Sequence, residues 1–287
     1  MNTTWQILDT INTKDFTEAR LQLHYGIQFI AATGSALAEP LPDFSHTSLH
    51  WNSDLNVFIG APMVTARPFR VALDPISLTS ILLDKHGETI SVFPLHQKTL
   101  AEGIAWLKGE VSQLGGDASK IELLSYPEDF PDHAIAHGTP FNVGKAEAER
   151  QELSRYYANT QLVLQKIVAD IEDVSPIHIW PHHFDMATLI FMPIQKKGEP
   201  STIGVGLSPG DTNYAEPYWY VSPYPYPAPE NLPLLDGDGF WHTQGWLGGV
   251  LPASRLTQDS GEAQVKQVKS FLQSAIDASK QLLQASA

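Results

Sequence analysis

Cysteine is missing from this chain altogether. That absence removes disulfides, zinc ribbons, iron–sulfur clusters and thiol nucleophiles together. Basic residues are scarce: 18 Lys and Arg stand against 32 Asp and Glu, a net charge of -14 with His neutral. A surface that negative repels phosphate backbones and anionic lipid, so neither a nucleic-acid nor a membrane partner is expected. No apolar run approaches the ~18 residues that a membrane-spanning helix needs. The opening Met1-Asn2-Thr3-Thr4-Trp5-Gln6 lacks the basic stretch and apolar stretch of a secretory signal. The expected location is therefore the cytoplasm.

What remains is rich enough to fold. Hydrophobic residues make up 43% of 287 positions, too many for disorder and sufficient for one large core or two modest ones. Four stretches carry the three-and-four spacing of an amphipathic helix. The first has Phe16, Ala19, Leu23, Ile27 and Ile30, with Gly34 as its expected end. The second has Leu100, Ile104, Leu107, Val111 and Leu114, closed by Gly115-Gly116. The third runs from Leu153 to Ile171. The last runs from Val265 to Leu283, with Asp259 and Glu262 as a capping box.

Strand-like runs cluster between these helices. In the first half they are residues 47–51, 56–60, 69–73, 81–84, 89–93 and 121–124. In the second half they are 177–180, 185–192, 202–207, 218–221 and 246–251. Clustering without one-for-one alternation predicts an α+β fold, with a mixed or antiparallel sheet and packed helices. The proline- and glycine-rich stretch 127–144 reads as a linker between an N-terminal half, 1–126, and a C-terminal half, 145–287. Both halves read helix, strands, helix, so two similar units are expected.

Three features bear on function. Gly206-Leu207-Ser208-Pro209-Gly210 matches a nucleophile elbow in letters only. The residue after the nucleophile must lend an N–H to the oxyanion hole, and Pro209 has none. A tight turn is expected there, with no catalytic serine. In the strand before it, Gly204 and Gly206 leave one face bare, for a ring of this protein or a ligand to approach.

The densest polar cluster is His178-Ile179-Trp180-Pro181-His182-His183-Phe184-Asp185. Strand alternation would put His183 and Asp185 on one side. Imidazole with carboxylate suits a divalent metal or an acid/base pair. The candidate metal ligands are His183, Asp185 and His242, with His182, His178 and Glu216 in reserve; the plainer reading is a carboxyl group orienting a histidine. The third feature is aromatic: of 28 aromatic residues, 12 fall in residues 180–246. Prolines at 217, 223, 225, 227, 229 and 233 hold that region in extended loops. Trp180, His182, Glu216, Tyr218, Trp219, Tyr220 and Trp241 are the candidate ligand-binding residues, with Trp219 on the opposite strand face from Tyr218 and Tyr220.

Ser175-Pro176-Ile177-His178, Trp180 and Phe184-Asp185-Met186-Ala187 resemble a pattern, S-P-x-H-x-W…F-D-x-A, of an uncharacterised bacterial family. The resemblance continues through Ser208-Pro209-Gly210-Asp211, Glu216-Pro217-Tyr218 and Trp241-His242-Thr243, and leaves out the His182-His183 pair. It implies a bacterial protein and no particular activity. Three functions stay open on the sequence. One is an aromatic-lined small-molecule site beside the His/Asp cluster. The second is a metal-dependent hydrolytic or oxidative enzyme using that cluster. The third is a structural or interaction protein with no such site.

Overall fold

A computed structural model describes residues 4–9, 16–126, 129–196 and 199–285. Periodic apolar spacing becomes helix in each expected place. The first stretch forms α1 (Phe16–Gly26) and α2 (Gln28–Leu37), parted at Ile27. Helix α2 does not end at Gly34: a Cβ there would lie 2.6 Å from the carbonyl oxygen of His46. That glycine serves close backbone packing, and the helix continues one more turn. Helix α3 (Leu100–Gln113) carries a capping box between Thr99 and Glu102. Helix α4 is Glu147–Asp170, and α5 is Gly261–Ala285. Ser260 caps α5, its Oγ accepting from the amide of Ala263 at 3.1 Å, so the cap is one residue later than the expected Asp259.

The fold is α+β, with antiparallel strands and packed helices. Two compact units divide between Ser154 and Arg155, inside α4. Of the described residues, the first holds 16–126, 129–154 and 178–184, including the described part of the proline-rich stretch. Its strands are β1 (Leu49–Asn52), β2 (Val57–Gly60), β3 (Phe69–Asp74), β4 (Thr79–Asp84), β5 (Thr89–Pro94) and the short β6 (His178–Ile179). Their spatial order is β6-β1-β2-β3-β4-β5. The expected strand at 121–124 is irregular chain instead. Val57, Ile59, Ala72 and Leu83 form one buried cluster on this sheet, with Ile81 packed against it.

A buried cation ties the start of α4 to this unit. Arg150 is 0% exposed. Its guanidinium donates to the carbonyls of Pro75 at 3.1 Å, Ile76 at 3.0 Å and Val143 at 2.7 Å, and to that of Lys145. Five fixed N–H donors suit several diverging carbonyls, which no ammonium could serve together.

Of the described residues, the second unit holds 4–9, 155–177, 185–196 and 199–285. Its strands are β7 (Met186–Lys196), β8 (Glu199–Ser208), β9 (Tyr218–Tyr224), β10 (Phe240–His242) and β11 (Gly248–Pro252), ordered β7-β8-β9-β11-β10. Strand β9 passes through Pro223, which pairs with Ile203, so the proline-rich region is more regular than its composition predicts. Residues directly opposite one another share a face. Met186, Leu207, Trp219 and Leu251 therefore lie on one face. Ala187, Gly206, Tyr220, Val250 and Phe240 lie on the other. Helix α5 packs over the first face, where a Cβ at Gly249 would meet Ala275 at 3.2 Å. Trp219 is 0% exposed there, and its indole N–H donates to Thr160 Oγ1 of α4 at 2.9 Å. No helix among the described residues is long and apolar enough to cross a membrane.

Candidate functional site

The face away from α5 is polar and aromatic. Strand alternation puts Tyr218, Tyr220 and Ser222 on it, and Trp219 on the other. The bare face of Gly204 and Gly206 is filled by a ring of the protein itself. A Cβ at Gly206 would lie 3.0 Å from Tyr220 Cζ, and one at Gly204 would lie 3.9 Å from Tyr220 Cε2. The Tyr220 ring thus crosses β8, and its hydroxyl donates to Asp185 Oδ2, just before β7, at 2.6 Å.

A second tyrosine repeats the arrangement. The Tyr218 hydroxyl donates to Asp211 Oδ2 at 2.6 Å. Asp211 is held by a local turn: its Oδ1 accepts from the amides of Asn213 at 2.6 Å and Tyr214 at 3.0 Å. That turn follows Ser208, whose Oγ accepts from the Gly210 amide at 3.2 Å. No helix opens after Ser208, and the next element is β9, so the nucleophile elbow is absent in shape as well as in the N–H that Pro209 lacks.

The turn also brings Tyr214 onto His242 of β10, with Oη to Nδ1 at 2.9 Å. Nε2 of His242 lies 2.7 Å from the carbonyl of Gln244. A carbonyl only accepts, so in the neutral ring Nε2 carries the hydrogen and Nδ1 accepts from Tyr214. The His242 ring stacks on Trp246, with centroids 4.6 Å apart. Beside it, the Arg255 guanidinium sits 4.4 Å above the Phe240 ring.

Burial sets the electrostatics. It pushes the phenol of Tyr218 far above its ordinary range, and the nearby Asp211 charge pushes it further. Tyr220 is raised well above the usual phenol value, first by burial and then by Asp185. Both hydroxyls stay protonated and donate. The Tyr220 oxygen keeps acceptor capacity, and among the described residues Asp185 Oδ1 has no hydrogen-bond partner, whereas the Ser208 hydroxyl already faces the Tyr218 oxygen. The face therefore offers rings and hydrogen-bond acceptors, while its donors are already engaged.

Among the expected site residues, Tyr218, Tyr220, Asp185 and His242 share this region. The others are placed elsewhere. Trp219 lies on the α5 face. Trp241 also points to that side, its N–H donating to the carbonyl of Pro233 at 2.7 Å. Glu216 precedes β9, and its carboxylate accepts from the amide and hydroxyl of Ser254, so it braces a turn. Trp180, His182 and His183 belong to the first unit.

There the expected alternation from His183 to Asp185 does not form. Phe184 takes a left-handed conformation, φ 57°, and its amide donates to the carbonyl of Trp180 at 2.7 Å, which closes a turn. His183 Nε2 is 3.2 Å from Asp129, and the His182 ring lies tilted against Trp180 with centroids 6.1 Å apart. His178 Nδ1 lies 2.7 Å from Ser48 Oγ, and burial lowers its pKa. Buried His24 pins the turn through the Pro181 carbonyl at 2.9 Å, and Gln28 Nε2 donates to the same oxygen at 3.2 Å. Among the described residues, no three His, Asp or Glu side chains gather as metal ligands would.

Asp211, Tyr214 and Trp246 were not among the expected site residues. Their signal was weak: Asp-x-x-Tyr after Pro-Gly marks a turn, and only the strand register brings that turn to β10. No family model, curated protein or solved structure matches this chain.

Proposed function

We propose that the protein binds a small molecule on the tyrosine face of its second unit. The observation that carries this reading is the doubled tyrosine–aspartate pair, each hydroxyl 2.6 Å from a carboxylate oxygen on one sheet face. Short bonds to charged acceptors fix the rings, so they need not be ordered when a ligand arrives. Rings with a few convergent polar groups are the usual lining of ligand sites. The spare acceptors favour a ligand that donates: an amine or a polyhydroxyl compound with an apolar flank. Amines gain additionally from the ring faces. Both nitrogens of His242 are engaged within the protein, which supports binding over acid–base chemistry at this face.

The test is thermal unfolding with choline, spermidine and glucose as probes, on the native chain and on Tyr220→Phe. At least one probe should raise the melting temperature of the native chain, and the variant should lose most of that rise. A flat response to every probe, or an equal response in the variant, would count against the reading.

A further inference from the structure

Residues 4–9 form no strand or helix, yet their backbone is recognised as a strand's would be. The Gln6 amide donates to Asn159 Oδ1 at 2.8 Å, and Asn159 Nδ2 donates back to the Gln6 carbonyl at 2.7 Å. The Leu8 amide donates to Gln264 Oε1 at 2.9 Å, and Gln264 Nε2 donates to the Leu8 carbonyl at 2.7 Å. A side-chain amide carries an acceptor and a donor side by side, as a neighbouring strand does. Here one amide comes from α4 and one from α5, and they meet residues two apart, the spacing of strand pairing. Asn159 is 0% exposed and Gln264 is 1% exposed.

Side chains add selectivity. Trp5 stacks on Trp219 with centroids 6.3 Å apart, and its N–H lies 3.2 Å from Gln264 Oε1. Leu8 is 0% exposed, whereas Ile7, between the two clamped residues, is 58% exposed. Alongside runs a cavity of about 630 Å³, lined in part by Trp5, Ile7, Leu162, Val163 and Val265. Residues of both helices and of the segment itself line that space. Without an occupant, the buried Asn159 amide would lose both bonds to Gln6, and Gln264 would keep only the Thr257 carbonyl at 3.1 Å, a costly state.

We infer that the cleft between α4 and α5 is a recognition groove for an extended Trp-x-x-Leu peptide, filled in cis by residues 4–9. The four backbone bonds read no side chain at positions 6 and 8, so they serve any chain that presents Trp and Leu at this spacing. Being tethered, the protein's own segment competes at a high effective concentration and keeps the groove closed to weak rivals.

The experiment measures binding of a fluorescein-labelled peptide, Thr-Trp-Gln-Ile-Leu-Asp, by fluorescence anisotropy. Gln6→Pro removes the amide that Asn159 accepts from and leaves the groove lining intact. The folded variant should bind the peptide at least tenfold more tightly than the native chain, and a peptide with Ala for Trp should lose that binding. Equal binding by variant and native chain, or by both peptides, overturns the inference. If Gln6→Pro does not fold, the native chain is mixed with millimolar isotope-labelled peptide. Slowed hydrogen exchange at the peptide's Gln and Leu amides is then expected, and none would overturn it.

Discussion

The hydroxyl of Tyr220, on β9, donates to Asp185 beside β7 at 2.6 Å, crossing the intervening β8 above Gly206. Three chain segments are tied by one bond, and the bond exists because the middle strand has no side chain at that point. Removing the hydroxyl as Tyr220→Phe should lower stability by about 1.5–3 kcal/mol, the range of a hydrogen bond to a charged group. Urea unfolding measures it. In the native chain, Tyr218 and Tyr220 should also be silent in the alkaline absorbance titration until the protein unfolds, since burial raises both phenols.

Gly206→Ala should be worse than its size suggests. The new methyl would lie 2.4 Å from the Met186 carbonyl oxygen and 3.0 Å from Tyr220 Cζ. Backbone on one side and a hydrogen-bonded ring on the other leave little room to yield. A loss of about 1–3 kcal/mol is expected from overpacking. Tyr220 should lose its altered titration as well, which separates this change from general destabilisation. Gly204→Ala, with its nearest neighbours at 3.8 and 3.9 Å, should be nearly neutral.

Arg150→Met should cost roughly 3 kcal/mol or more, because several buried carbonyls lose their donor together. Arg150→Lys should recover only part of that loss, since one ammonium cannot reach carbonyls of residues 75, 76, 143 and 145 at once. Chemical denaturation of the two variants distinguishes the geometry from the charge.

Acid should weaken the first unit through His24. Burial lowers its pKa from 6.5 to about 3. Between those values the unfolded chain holds a proton that the folded chain refuses. Its contribution is complete above pH 6.5 and drains away as pH falls towards 3, by up to about 1.4 kcal/mol per pH unit. His24→Gln should flatten that part of the stability profile, as denaturant midpoints across the range would show.

Helices were legible in the sequence because apolar spacing survives whatever they pack against. Strand positions were legible for the same reason, apart from β10, whose three residues are too few to show a period, and residues 121–124, an apolar run that stays irregular. The opposition of Trp219 to Tyr218 and Tyr220 followed from alternation alone. What alternation could not carry was continuity through Phe184: a left-handed residue resets the face count, so His183 and Asp185 part company. Nor could sequence show that Glu216 braces Ser254, or that Asp211 would meet Tyr218, because both contacts depend on where the strand ends turn. Prolines predicted loops around residues 217–233, but Pro223 sits within paired β9.

Nuclear magnetic resonance can follow a ligand arriving at the tyrosine face. The indole of Trp246 and the ring of His242 stack at 4.6 Å at the rim of that face and report on it without taking part in the tyrosine–aspartate bonds. Choline, spermidine and glucose would each be titrated into native protein and into Asp185→Asn. Saturable shifts of the Trp246 and His242 signals are expected with at least one probe, weakened at least tenfold in the variant. Unmoved signals with every probe, or shifts that Asp185→Asn leaves unchanged, would contradict ligand binding at this face.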